Sequence, residues 1–146
     1  MTSPRHVPES GSGRAPRSGG VTDLDVLLGA LTPQLTPDPM VYAVVQDGRV
    51  PTGSFATVEE AEGLTVVLDQ RSADREGLGY DHVAALITLQ VHSALEAVGL
   101  TAAVSTALAA RGISCNVIAG AYHDHLLVPW NRRAEAMAAL EALRAG

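Results

Sequence analysis

The densest run of chemically active side chains in the sequence is Tyr122-His123-Asp124-His125. On a strand, His123 and His125 would face one way and Asp124 the other, because side chains alternate. Two imidazoles on one face could bind a metal ion if a third ligand joined them. We favour a structural or ligand-contacting role for these histidines over metal ligation, and no metal or other cofactor is predicted.

The position of a third ligand decides between these alternatives. The strands predicted at 84–91 and 124–128 are expected to be parallel neighbours. His92 would then leave at the far end from His123, roughly 20 Å along the strands. His82 would lie at the nearer end and is the better partner for His123.

A second candidate site is the segment 92–98, which leads into a predicted helix. Free backbone N–H groups and the positive end of the helix dipole favour a carboxylate there. Gly99 lacks a side chain and would let a ligand approach the backbone. Ser93 and Thr101 would add hydroxyl groups, and Glu96 could pair with an α-amino group. The segment therefore has the donors and acceptors that a small zwitterion needs.

Each of these features also has a purely local interpretation. Ser93 and Glu96 have the spacing of a capping box, which would only close the helix. Gly99 could serve close packing of the helix on the sheet, which is compatible with a binding role. Both interpretations stay open at the level of sequence.

Nucleophilic catalysis has little support. Cys115, the only cysteine, falls within a predicted strand, where a buried and unreactive thiol is the usual state. A triad would have to draw on Ser93, His92 and Asp124, which the predicted topology scatters. No glycine-rich phosphate-binding motif is present. The sequence predicts a protein without catalytic activity.

The composition of the chain limits the classes of binding partner and the cellular compartment that we expect. The chain has 146 residues, a net charge of −6 and 47% hydrophobic residues. Arg5, Arg14 and Arg17 make the first twenty residues basic, so the remainder is more acidic still, which argues against nucleic-acid binding. No apolar run approaches the roughly 18 residues that span a bilayer, and no secretory h-region is found. We expect a cytoplasmic protein that does not enter membranes.

Periodicity and turn signals divide the chain into short elements. Residues 1–21 are rich in Pro, Gly and Ser and are predicted to be a disordered tail. Thr22 or Asp23 would cap a first helix that ends before Pro33. Thr57 and Glu60 have capping-box spacing and predict a helical turn over 57–62. The remaining predicted elements are strands at 40–46, 64–69, 84–91, 113–119 and 124–128, a helix or loop at 71–77, a helix over 99–111 closed by Gly112, and a final helix capped by Asn131.

The order strand, helix, strand, strand, helix in the second half is a β-α-β-β-α-β unit without its last strand. An open apolar edge invites aggregation, so another strand should cover it. We infer that 40–46 or 64–69 pairs beside 84–91. The predicted fold is therefore α+β, with an antiparallel sheet, helices on one face and an edge strand supplied by the first half.

Gly99, Val104, Leu108, Gly112 and Ile113 form the pattern G-x4-V-x3-L-x3-G-I. This pattern resembles the first helix of ACT domains, small ferredoxin-like modules that bind amino acids. The stretch 108–128 resembles the helix, G-I-S, strand and Y-x-D-x-L-x-V hairpin of a tandem ACT branch. The stretch 57–67 is similar to the T-x-E-E-x-S-V-V segment of that branch.

The resemblance implies a tandem ACT protein, with a partial module at 22–81 and a second module at 82–146. It also implies regulatory binding of a small molecule, most simply an amino acid, where two modules meet, in a chain that could form a homodimer. The candidate ligand-binding residues are His92, Ser93, Glu96, Val98, Gly99, Leu100, Thr101, Ser114, Asn116, Ile118, Tyr122, His123 and Asp124.

Two other functions remain open. The sheet edges could pair into a homodimer or dock on a partner without any ligand, or the histidines could form a metal or hydrolytic site. Glu59, Glu60 and Glu62 would suit a basic ligand such as arginine, although a solvated helical turn explains them more simply.

Overall fold

A computed structural model describes residues 23–91 and 99–146, which form a seven-stranded sheet with α-helices on one face. Every pair of neighbouring strands in these ranges is antiparallel. In chain order the elements are α1 (Leu24–Gly29), β1 (Pro33–Leu35), β2 (Met40–Val45), β3 (Ala56–Glu60), β4 (Gly63–Asp69), α2 (Gln70–Arg75), β5 (Val83–Leu89), α3 (Leu100–Ala109), β6 (Asn116–Ala119), β7 (Asp124–Pro129), a 3-10 turn (Trp130–Arg132) and α4 (Arg133–Ala145).

The strand order is β3-β4-β2-β5-β7-β6, with β1 also paired to β5. Strands β5, β6 and β7 with helices α3 and α4 form the predicted β-α-β-β-α unit. The predicted α+β class and ferredoxin-like arrangement, with an antiparallel sheet and helices on one face, are confirmed. Among the described helices, none is long and apolar enough to cross a membrane.

The missing edge strand comes from the N-terminal half, as predicted. Strand β2 pairs with the beginning of β5 through Met40 opposite Ala84, and β1 pairs with its end through Pro33 opposite Leu89. The sequence did not predict β1, because its prolines suggest only a helix stop. Pro33 is tolerated because it is the first residue of its strand.

Strand β5 is buried on both faces because each half of the chain covers it. Ala85, Ile87 and Leu89 face the helices and pack with α1, α3 and α4. Ala84 and Leu86 face the other way, and they are also buried. An uninterrupted apolar strand is what burial on both faces requires.

No helix of the described ranges covers the second face of the sheet, yet its centre is buried. Met40 and Val67 of the first half pack there with Leu86 and Leu127 of the second. The sheet also curls, because the rings of Phe55, before β3, and His125, on β7, are 5.0 Å apart although three strands lie between β3 and β7. Curling and coiling of this kind follow from strand twist.

The prediction that 84–91 and 124–128 are parallel is wrong. They are antiparallel, with Leu89 opposite Asp124 and Ala84 opposite Pro129. A helical crossover returns β6 parallel to β5, and the hairpin that follows reverses β7. The end of β5 therefore lies beside the start of β7, and His82 lies at the opposite end of the strand.

The predicted helical turn over 57–62 is also wrong, because this stretch contains strand β3. Glu60 pairs with Gly63 across a tight turn, and Val58 pairs with Thr65. The Thr65 hydroxyl donates to the Glu60 carboxylate across the hairpin, 2.5 Å away. The cross-strand pairs between β3 and β4 thus stabilise a strand here, although Thr57 and Glu60 have the spacing of a helix capping box.

The helix boundaries test the predicted caps. Asp23 caps α1 by accepting the N–H of Val26 at 3.1 Å, as one of the two alternatives predicted. Gly112 closes α3 with φ +67°, also as predicted. The prediction for Asn131 is wrong, because this residue lies inside the 3-10 turn and α4 begins after Arg132.

Helix α1 belongs physically to the core of the second half. Leu27 and Leu31 are fully buried in the cluster that contains residues of α3 and α4. The predicted domain limits of 22–81 and 82–146 remain predictions, and Leu27, Leu28, Leu31 and Leu35 pack across them.

We expect Leu27→Ala to lower the free energy of unfolding by about 2–5 kcal/mol, because it removes a fully buried side chain. Val26→Ala is the matched control: Val26 lies on the same helix but is 56% exposed. Urea unfolding of both variants measures the difference. Equal effects would show that α1 does not contribute to the core.

Candidate functional site

Strands β1 and β5 and the β6–β7 hairpin meet at one end of the sheet. Leu89, at the end of β5, is opposite both Pro33 of β1 and Asp124 of β7, and Asp124 is in turn opposite Ala119 of β6. The N–H of Gln90 donates to the carbonyl of Thr32 at 2.8 Å. The chain therefore leaves β5 beside the β6–β7 turn, which brings the two predicted parts of the site to the same end.

Helix α3 begins with Gly99 as its N-cap, and no side chain caps it among the described residues. The first backbone N–H groups of a helix have no acceptor within the helix. Leu100 is buried in the core, whereas Thr101 is exposed. The first turn therefore places backbone N–H groups, which no described side chain caps, and the Thr101 hydroxyl at the positive end of the helix dipole.

Gly99 has two structural reasons to be glycine. Its φ is +100°, a conformation that L side chains rarely adopt. A Cβ atom built on it would also lie 3.1 Å from Cδ2 of Leu24 in helix α1. Close packing at Gly99 is thus real, but its partner is α1 and not the sheet.

The β6–β7 hairpin places its polar residues on two faces. Asp124 has the same strand parity as Leu126 and Val128, which face the helices. His125 faces the other way, where its Nδ1 lies 2.9 Å from the hydroxyl of Thr88 on β5. Asp124 is therefore on the face of the sheet where α3 begins, and His125 is not.

His123 lies in the turn, and its buried Nδ1 has no hydrogen-bond partner among residues 23–91 and 99–146. The carbonyl of His123 accepts the N–H of Gly120 at 2.9 Å, which closes the turn. Tyr122 beside it is 69% exposed. The turn thus combines a backbone closed by a hydrogen bond with one imidazole nitrogen that no described residue bonds.

The environment of His125 favours the neutral ring. Burial lowers the pKa of His125, the neighbouring His123 lowers it further, and Asp124 acts in the opposite direction. Phe55, from the loop before β3, packs its ring edge-on against His125, with centroids 5.0 Å apart and planes at 77°. A neutral, desolvated imidazole is the form that these contacts accommodate.

The structure brings together only part of the predicted ligand set. Gly99, Leu100 and Thr101 lie at the same sheet end as Tyr122, His123 and Asp124. Ser114 and Asn116 lie towards the other end, since Asn116 is three residues, roughly 10 Å, from Ala119 along β6. Ile118 is at the near end but packs into the buried second face. His92, Ser93, Glu96 and Val98 lie outside the described residues.

Leu24, Thr88 and Phe55 are contacts that the sequence analysis missed. The alternation along β5 and β7 could have placed Thr88 opposite His125 once the strands were read as antiparallel. No local signal in the sequence points to Leu24 or Phe55, because each reaches its partner through tertiary folding.

The described residues give no support to a metal site or to a nucleophilic thiol. Within residues 23–91 and 99–146, no group of three His, Cys, Asp or Glu side chains could hold a metal ion. Burial raises the pKa of the Cys115 thiol, which disfavours the reactive thiolate. An open groove of about 400 Å³, lined by Val45, Glu59, Glu60 and their neighbours, lies at the end of β2, away from Asp124.

Comparison with known proteins identifies the family. One ACT domain model matches residues 19–85, and a second ACT domain model matches residues 82–142. The chain belongs to the ACT domain family. The two matches in tandem confirm the resemblance drawn from Gly99, Val104, Leu108, Gly112 and Ile113.

Three solved structures are similar to this chain. The protein VC0802 from Vibrio cholerae, described as a possible transport protein of unknown function, is 43% identical, with a TM-score of 0.74 over 83% of this chain and 95% of that one. Atu0741 from Agobacterium tumefaciens is 18% identical, with a TM-score of 0.65 over 78% and 89%. The regulatory subunit of aspartate kinase from Thermus thermophilus is 9% identical, with a TM-score of 0.54 over 78% and 98%. The last two show the shared ACT fold alone. No curated protein matches the sequence significantly.

We expect Gly99→Ala to destabilise this ACT protein by about 1–3 kcal/mol, because the positive φ is strained for alanine and its Cβ crowds Leu24. Gly29→Ala is the control, since a Cβ there meets no atom within 4 Å. Thermal or urea unfolding compares them. A Gly99→Ala variant as stable as wild type would show that the Gly99 geometry carries no constraint. Larger side chains at Gly99 are therefore unsuited as probes of ligand binding.

The lowered pKa of His125 predicts a loss of stability at acid pH. Between the ordinary histidine pKa of about 6.5 and the lower value in the folded protein, the unfolded chain binds more protons. The free energy of unfolding should thus decrease as pH falls through this window. His125→Gln should flatten that dependence, whereas His82→Gln at an exposed histidine should retain it. Urea unfolding from about pH 7.5 to about pH 5 measures this; equal slopes in both variants would contradict it.

Proposed function

We propose that this ACT protein is a non-catalytic regulator that binds an amino acid at the sheet end where α3 begins. ACT domains are regulatory ligand-binding modules, and the tandem match supports that class of function. The candidate contacts are the start of α3, the turn at Tyr122–Asp124 and the segment 92–98 that leads into the helix. A cytoplasmic protein is the setting we propose for this role.

One observation carries the proposal. The N-terminus of α3, which no side chain of the described residues caps, and the carboxylate of Asp124 lie at the same end and on the same face of the sheet. A ligand carboxylate would accept hydrogen bonds from the free N–H groups of the first helical turn. A ligand ammonium group would pair with Asp124. A zwitterion matches both ends of this arrangement.

Thr101 is the side chain best placed to add specificity. It is the first exposed residue of α3, and its hydroxyl can donate to or accept from a ligand at the helix N-terminus. Leu100 is buried in the core and contributes only its backbone N–H. Polar recognition at this end therefore rests mainly on Thr101, Asp124 and backbone donors.

We expect one or a few of the twenty amino acids to raise the melting temperature of the full chain in a saturable way. Ligand at about a hundred times its dissociation constant adds about 2.7 kcal/mol of stability. Thr101→Val and Asp124→Asn should weaken binding about tenfold each, as expected for the loss of one bond to a charged group. Thr106→Val, an exposed hydroxyl on the same helix but away from its start, is the control. No shift with any amino acid would reject the amino-acid ligand.

Pairing between copies is a second candidate function, favoured by the sheet edges. Within the described ranges, β3 and β6 each have a strand on one side only. Val58 on β3 is 53% exposed. An edge that presents unpaired backbone groups and an apolar side chain can accept another strand.

We expect a dimer in solution if this second function holds, and its assembly should not depend on amino acids. Val58→Lys places a charge on the exposed edge and should shift the dimer to monomer in sedimentation measurements. Thr57→Lys, also exposed on β3 but opposite in strand parity, is the comparison. A wild-type monomer at all concentrations would rule out edge pairing.

A further inference from the structure

Phe55 connects the two halves of the chain. It precedes β3, where its N–H donates to the carbonyl of Val67 at 2.7 Å. Its ring meets His125 on β7 edge-on at 5.0 Å. In the strand order, β3 and β7 are four steps apart, roughly 19 Å in a flat sheet. The contact therefore exists only because the sheet curls and brings the first half over the β6–β7 hairpin.

Buried apolar packing lies directly beside this contact. Ala56, the next residue after Phe55, and Ile118, which is opposite His125 on β6, both pack against the buried cluster of the second face. Phe55 itself is 37% exposed. The ring thus lies at the border of the packed region, where its main specific contact is the imidazole.

Two further residues, Thr88 and Gly120, lie against the His125 ring. Thr88 bonds its Nδ1 at 2.9 Å. On the opposite side, a Cβ built on Gly120 would lie 3.4 Å from its Nε2, so that the ring fills the space beside that glycine. Gly120 in turn donates to the carbonyl of His123. The His125 ring therefore lies beside Gly120, the residue whose N–H closes the turn that carries His123 and Asp124.

We propose that Phe55 is a positioning residue for the β6–β7 hairpin: its ring holds the His125 imidazole in place, and His125 fixes the turn that presents His123 and Asp124. The consequence for ligand affinity rests on the proposed function. Phe55 acts through His125 and does not itself contact the ligand.

Among the residues that the structure describes, the charged groups that act on His125 come from its own hairpin. His123 and Asp124 are the groups that act on it electrostatically. Thr88 from β5, Ile118 from β6 and Phe55 from the loop before β3 are uncharged. Because the Phe55 ring excludes water from one side of the imidazole, its removal should hydrate the ring and raise the pKa of His125 towards the ordinary value.

The experiment compares Phe55→Leu with Phe55→Tyr and Val58→Ala. Phe55→Leu keeps an apolar side chain but removes the aromatic edge, and Phe55→Tyr restores that edge. Val58 is exposed, has the same strand parity as Ala56 and provides the matched control. NMR follows the titration of the His125 imidazole and the hydrogen exchange of the amides from Gly120 to Asp124. The affinity for the amino acid found in the thermal screen is measured in parallel.

We expect Phe55→Leu to raise the pKa of His125, to speed amide exchange in the turn severalfold and to weaken amino-acid binding about three- to tenfold. In Phe55→Tyr and in Val58→Ala, the pKa of His125, the amide exchange in the turn and the affinity should all stay close to the wild-type values. Unchanged titration and exchange in Phe55→Leu would overturn the proposal, and so would unchanged affinity despite altered exchange. If wild type binds no amino acid, the proposed function fails alone, because titration and exchange still decide whether Phe55 holds the hairpin.

Discussion

The pairing of β5 with β1 and β2 is the interaction on which the whole structure depends. Each half of the chain supplies a strand that completes the other, since β5 closes the sheet of the first half and β1 with β2 covers the open edge of the second. An unpaired central strand as apolar as β5 would leave its backbone groups and two buried faces open to water. The two ACT modules are therefore interlocked, and neither half has a complete sheet without the other.

The same pairing brings the proposed ligand contacts to one end of the sheet. The register that sets Leu89 opposite Pro33 and Asp124 directs the chain from β5 towards the turn between β6 and β7. Helix α3 then begins on the face to which Asp124 points. The proposed site thus combines a carboxylate with backbone donors and no long side chain, so it would depend on strand register more than on side-chain reach.

The curl of the sheet explains why its second face is buried. Helices cover only one face of the described sheet, and the other is buried because the two halves close over it around Leu127 and Val67. Phe55 and His125 meet at the border of that packing. A contact at this place links the arrangement of the halves to the hairpin, which is the connection that a regulatory module needs between binding and shape.

The sequence by itself determined the order of elements in the second half, the α+β class, the family pattern from Gly99 to Ile113, the closure of α3 at Gly112 and a cap of α1 at Thr22 or Asp23, because these depend on contacts within a few residues. It also indicated that the first half must cover an open edge. Tertiary structure decided the rest: the strand at Pro33–Leu35, the strand conformation of 57–60 and the antiparallel register that separates His82 from His123. It also decided the contacts of Leu24 with Gly99 and of Phe55 with His125. Each depends on residues distant in sequence, whose meeting follows from strand pairing and curl and leaves no local pattern to read.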